Sequence, residues 1–230
     1  YLELDSDPYV VINDGKLKWI QDAYTVSNNY PYSEPSLNNH NYWRNSVKAV
    51  IDAYDGTIEF YISDTSDPLI DTYSKIFPNV FKSMESMPED LRSHIRYPID
   101  MFKIQSDKYL EYHMKDSQIF YNNEDLWNIP KEKFGQSGEL QNVEPYYIVM
   151  NLPGNEDSEF VLISPFTPNQ RKNLIGWLAG RSDGDQYGKL IAYNFPKDLT
   201  IYGTEQIEAR MDNDPLISEW FTLRCQEGSF

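Results

Sequence analysis

Apolar and polar positions alternate at both ends of this chain and shift to a helical spacing in the middle. YVVI at 9–12 and KLKWIQDAYTVS at 16–27 flank Asn13-Asp14-Gly15, a hairpin signal because glycine accepts a positive φ. A second unit repeats the plan: NSVKAVIDAY at 45–54, a turn at Asp55-Gly56, and TIEFYIS at 57–63. The two units share an apolar strand, an Asp-Gly turn and a second alternating strand, either as a weak duplication or simply as two hairpins.

Helical spacing governs 67–127. Asp67-Pro68 supplies an N-cap and a proline at the first helical position, where a missing N–H costs nothing. LIDTYSKIF then predicts one face made of Leu69, Ile70, Tyr73, Ile76 and Phe77. Pro88 opens a second helix, EDLRSHI, that breaks at Tyr97-Pro98. A third is predicted from Ile99 to about Met114, and a short fourth turn around Leu126-Trp127. Residues 128–142 are polar, nonperiodic and glycine-containing, which predicts a surface loop. Alternation returns beyond it. YYIVMNLP pairs with EFVLISPF across Gly154-Asn155-Glu156-Asp157, and NLIGWLAG with YGKLIAYNF across an SDGD turn. Asp214-Pro215 starts a last helix, LISEWFTLRC.

Hairpins, then helices, then hairpins and a helix predict an α+β fold with mostly antiparallel sheet, since regular βαβ alternation is missing. The reading is a single domain over 1–230: hairpins about 9–63, a helical segment about 67–127, and hairpins with the last helix about 146–225. A chain of this length buries roughly 70–75% of its unfolded surface, enough for a true core.

Charge narrows the function classes. Thirty-six acidic residues against 20 basic give a net charge of −16, with no Lys/Arg cluster to displace counterions from phosphates. Nucleic acid is therefore excluded as a partner, and adsorption to anionic lipid is disfavoured. One cysteine, Cys225, rules out an internal disulfide and a Cys-based zinc cluster. No run approaches 18 apolar residues, so this segment does not insert into a membrane. Opening at Tyr1 without a Met, the chain reads as a domain excised from a larger protein.

Several segments in one order carry a family resemblance: DAYTVSNNYPYS at 22–33, RNSVKAVIDAYDGTIEFYISD at 44–64, MPEDLRSHIRYPIDMFKIQSDKYLEYH at 87–113, FYNNEDLWNIP at 120–130, FVLISPFTPNQRKNLIGWLAGRSDGDQYGKLIAYNFP at 160–196, and Glu205 to Arg210. Across nearly its whole length the chain resembles the soluble region of uncharacterised protein family 0182, multi-pass prokaryotic membrane proteins. Thr204-Glu205 stands where that family often has Gly-Pro. The resemblance implies a cell-membrane protein with this domain outside the cytoplasm, and its own transmembrane region as a partner. It carries over no catalytic residue.

Candidate chemistry is sparse. No Gly-x-Ser-x-Gly elbow and no His-x-x-x-His pair occur. His94 and His113 read as helix-packing residues bonded to a carbonyl or carboxylate. The SDGD turn offers Asp183 and Asp185 as hard oxygen ligands for Ca²⁺, although it lacks the third acid and the bidentate Glu of an EF-hand, and a plain hairpin turn is the simpler account. Asp5 with Asp7, Asp64 with Asp67 and Asp212 with Asp214 read as caps or turns. Arg44 and Arg210 are lone bases suited to fixing a bend against a carboxylate such as Glu208, or to holding an anionic ligand. Tyr30 and Tyr32, in SNNYPY, suit stacking on an envelope glycan, or simply a packed loop. The leading expectation is a non-catalytic interaction domain without a cofactor, meeting an envelope protein or glycan. The alternatives are a carboxylate-based hydrolase of envelope polymers, which needs two converging acids with a raised pKa, and calcium-supported glycan binding.

Overall fold

The computed structural model describes residues 1–134, 139–154, 157–196 and 198–225, with the main chain only at Phe134 and over 221–225. The fold is α+β with mostly antiparallel sheet. Its strands and helices, in chain order, begin Glu3–Leu4 (β1), Tyr9–Asn13 (β2), Lys16–Ser27 (β3), Tyr42–Asp52 (β4), Ile58–Ile62 (β5), Pro68–Ile76 (α1), Phe81–Ser83 (β6), Glu89–Arg92 (α2) and Ile99–Tyr112 (α3). They continue Ser117–Asn122 (α4), Trp127–Asn128 (β7), Lys131–Phe134 (β8), Glu139–Asn142 (β9), Tyr146–Asn151 (β10), Ser158–Pro168 (β11), Gly176–Arg181 (β12), Leu190–Asn194 (β13), Thr204–Asn213 (α5) and Pro215–Cys225 (α6).

Contacts divide the chain into two compact units. The first holds Tyr1–Gln105, Tyr147–Leu162 and Gly180–Lys189; the second holds Ser106–Tyr146, Ile163–Ala179 and the chain from Leu190 onward. The first unit is built on a sheet ordered β1-β3-β4-β5-β6, with β2 also paired to β3. Asp14 and Gly15 both take positive φ, 49° and 71°, so the β2–β3 turn is the type that matches strand twist. Parity then sorts the side chains. One face carries Val11, Ile20, Val50 and Tyr61 onto Met87, Leu91 and Ile95, the segment that includes α2. The other face buries Ala23 and Val47 under Ile70 of α1, with Leu2, Phe60 and Phe81 beside them. Burying each large side chain is worth about 1.5–3 kcal/mol, so both faces contribute core.

Helix α1 starts as its sequence dictates: the Asp67 carboxylate accepts the Leu69 N–H at 3.0 Å, and Pro68 follows it. Its predicted apolar face is only partly used. Ile70 is buried and Tyr73 half-buried, whereas Ile76 and Phe77 are exposed.

A second five-stranded sheet runs β10-β11-β12-β13, with β7 paired to β11, and β8 and β9 form a separate hairpin. Thus 128–142 is not a plain loop: Lys131 to Phe134 register against Asn142 to Glu139. The polar side chains that suggested a loop lie mostly on exposed strand positions. Trp127 is in strand β7 rather than a helical turn, and the fourth helix lies earlier, capped by Asp116. Helix α2 is shorter than predicted, and α5 fills a stretch to which no element was assigned. Asn155 and Glu156, the centre of the predicted β10–β11 turn, lie outside the described residues, as does the side chain of Cys225.

Close packing in the first unit leaves no free space for a side chain at Gly180. A Cβ there would sit 2.8 Å from Tyr97 Cγ and 3.0 Å from Phe102 Cδ2, and both rings are buried. Gly180→Ala is expected to cost about 1–3 kcal/mol, the usual range for overpacking. Urea unfolding measures it directly, and an unchanged midpoint would mean that the two rings can yield.

Candidate functional site

Charged side chains in the first unit's interior form a connected set. Lys48 lies directly opposite Asp22 in the β3–β4 register and is fully buried. Its ammonium donates to the Asp22 carboxylate and, at 2.7 Å, to the Tyr187 hydroxyl. Asn45 Nδ2 supplies Asp22 with a further bond at 3.0 Å. Burial works to lower the Lys48 pKa, but the carboxylate of Asp22 and the nearby hydroxyls of Tyr187 and Tyr9 outweigh it, and the net shift is upward.

Next to this pair, Arg96 is sandwiched between two tyrosine rings, 3.9 Å from the centroid of Tyr9 and 4.4 Å from that of Tyr147, while its Nη2 donates to Asp7 at 2.6 Å. Burial raises the pKa of both hydroxyls. Asp5 has its carboxyl pKa raised, chiefly by burial, even though it accepts from the Tyr24 hydroxyl and from the N–H groups of Asp100 and Asp7. Asp100 in turn accepts from Ser6 twice, at 2.7 Å each. These acids are committed to structural bonds.

Asp67 is a further buried charge. It accepts from Thr25 at 2.5 Å, Ser46 at 2.6 Å and Tyr42 at 2.7 Å, besides capping α1. Burial alone would raise its pKa; the four bonds more than offset that and hold it below the usual value.

The residues singled out from sequence are dispersed. Asp183 accepts the Phe160 N–H at 2.8 Å, and Asp185 sits in a 3-10 turn, Gly184–Gln186. Among the described residues no group of three or more His, Cys, Asp or Glu side chains is placed to hold a metal ion. Tyr30 stacks on Tyr42 at 5.7 Å, and Tyr32 is wholly exposed. Arg44 pairs with Asp64 at 3.1 Å on the surface. In the second unit Arg210 lies 4.6 Å over the Tyr202 ring, and Glu208 accepts the Lys133 N–H instead of an arginine. His113 behaves as read: Nδ1 is 3.0 Å from the Tyr109 carbonyl and its ring stacks on Trp127. His94 is exposed, because α2 ends before it.

Sequence reasoning missed Lys48, Asp22, Tyr187 and Arg96. One signal was available: Lys48 shares strand parity with Val50, and Asp22 with Ile20, so each charge interrupts an apolar face.

The sheet face beyond α1 carries a different feature. Val10, Trp19, Ile51 and Ile58 stand in one row across four strands, by successive register pairs. Leu17 and Ile12 pair in the adjacent row. Exposures of 49% at Val10, 65% at Ile12, 42% at Leu17 and Trp19, and 52% at Ile58 mark this end as uncovered, an apolar strip of the kind that marks interaction sites.

Taken together, these features define an α+β fold with its interior charges hydrogen-bonded and an apolar strip left open. The chain belongs to the Uncharacterised protein family (UPF0182), whose model matches residues 1–224. It is 56% identical over 229 residues to a UPF0182 protein of Pelotomaculum thermopropionicum, covering all of this chain and 25% of that relative. It is 54% identical over 238 residues to UPF0182 protein alr1037 of Nostoc, covering 24% of it, and 53% identical over 235 residues to a UPF0182 protein of Methanospirillum hungatei, covering 26%. The chain thus spans about a quarter of the length of these curated relatives. No solved structure matches it.

Proposed function

We propose that this domain is a non-catalytic docking module of a longer multi-pass membrane protein, outside the cytoplasm, and that its apolar strip seats another part of the same polypeptide. The observation that carries the reading is the open row Val10–Trp19–Ile51–Ile58, apolar across four strands. The relatives offer the occupant, since three quarters of their length lies outside the matched region. The family resemblance is what supports membrane attachment and the extracytoplasmic side. The helices described include none long and apolar enough to cross a membrane, so in this reading attachment falls to other segments. A hydrolase would need accessible paired acids, whereas Asp5 and Asp100, the adjoining pair in which one carboxyl is raised, are bonded to main chain, Tyr24 and Ser6.

Lysine at Ile12 and Ile58 tests it. Each substitution is expected to change the stability of the 230-residue chain by under about 0.5 kcal/mol, as for exposed positions. In the full-length protein the pair is expected to speed release of this domain by limited proteolysis. Equal release rates with and without the lysines would sink the docking reading.

A further inference from the structure

A cavity of about 670 Å³ lies in the first unit beside the Asp183–Asp185 turn, within the size range of small-molecule sites. Met84, Ile95 and Tyr187 supply apolar lining, and Ser182, 6% exposed, lies among them. Ser182 Oγ accepts the Tyr97 N–H at 3.0 Å, which occupies a lone pair and leaves the hydroxyl proton to be donated. Tyr187 is fixed from behind by its bond to the buried Lys48.

Ser63, Ser93 and Gly184 add neutral lining, and the charged lining is Glu89, Asp183 and Asp185 with one guanidinium, Arg92. Among the described residues the side chains of Glu89, Arg92 and Asp185 make no hydrogen bond or ion pair. Three carboxylates against one guanidinium repel anions and favour a cation. A bare divalent ion is a poor fit, because no three of these acids converge on a point. What the walls match is a ligand with an ammonium group for the acids, hydroxyls for Ser182 and Arg92, and a C–H face for the tyrosine and aliphatic lining.

We propose that this cavity binds an amino sugar, with Glu89 and Asp185 holding the ammonium, Ser182 and Arg92 the hydroxyls, and Tyr187 lying under the ring. This site is independent of the docking strip. The test is a two-dimensional NMR titration of the ¹⁵N-labelled 230-residue chain with glucosamine, with glucose as the neutral control and calcium chloride alone as a third arm. Saturable shifts confined to the Glu89–Ser93 and Ser182–Tyr187 amides are expected for glucosamine, with glucose about threefold or more weaker. Ser182→Ala is expected to weaken glucosamine about three- to tenfold. The surface variant Glu89→Gln/Asp185→Asn, which leaves the interior intact, should reduce it to the level of glucose. Absence of saturable shifts at these amides, equal affinity for glucose, or the same shifts from calcium alone would overturn the assignment.

Discussion

Replacing Lys48 by methionine will unfold this protein more readily than any surface substitution, by about 3–5 kcal/mol. The size of the effect comes from what is left behind. Methionine fills the space of the aliphatic stem, but the Asp22 carboxylate, 2% exposed, then loses its cation and is left with the Asn45 amide as its side-chain donor. An uncompensated buried charge is far more costly than the pair itself was favourable. Double replacement therefore separates the two contributions. Asp22→Leu/Lys48→Met removes both charges and is expected to recover most of the loss, as buried pairs exchanged for apolar residues usually do. Urea midpoints at constant slope measure both variants. Stability should also resist alkali. The folded Lys48 pKa is raised above its unfolded value of about 10.4, so its contribution is fully present below that value and is lost only as pH rises through the folded one. A single variant as stable as the parent would mean that water reaches Asp22.

Asp67→Ala is the second large effect, expected at about 3–5 kcal/mol. It removes the α1 cap, worth about 1 kcal/mol, and charge-assisted bonds from Thr25, Ser46 and Tyr42, each worth about 1.5–3 kcal/mol before relaxation. Asp67→Asn keeps one acceptor and the cap, and is expected to lose less than half as much. Its pH dependence distinguishes it further. Because the folded Asp67 pKa lies below the unfolded value of about 3.9, its contribution is complete above that value and disappears as pH falls through the folded one. The gap between the parent and Asp67→Asn should therefore close on acidification. Asp5 acts in the opposite sense. Burial raises its pKa, so the fold takes up that proton early and gains from it as pH falls through the raised value. Asp5→Asn should remove that gain. Stability measured from pH 3 to 7 on the three proteins checks both signs, and parallel curves would contradict them.

The local chemistry of the chain was legible wherever a short segment decides its own structure. Asp14-Gly15 could only turn, Asp67-Pro68 could only start a helix, and the alternation along 16–27 and 45–54 marked β3 and β4 as strands. Elements that depend on distant partners were hidden. Trp127 became a strand residue because Pro168 registers against it, and β6 exists because it lies parallel to β5. Helix α1 was read with too wide an apolar face, since nothing local says that Ile76 faces water. The candidate site suffered most. Lys48 and Asp22 are 26 positions apart, and only the strand register brings them opposite one another. Asp183 and Asp185 were found because they share a turn, yet Glu89 and Arg92, lining the same cavity, come from a different part of the chain.

Carbene footprinting of the Trp19 strip tests the docking claim most directly, with the 230-residue chain compared against the full-length protein in detergent. Heavy labelling of Val10, Ile12, Leu17 and Trp19 is expected in the separate chain, with strong protection of the same residues in the full-length protein. Equal labelling in both would show that the strip faces solvent in the intact molecule and that its apolar row does not seat the rest of the polypeptide.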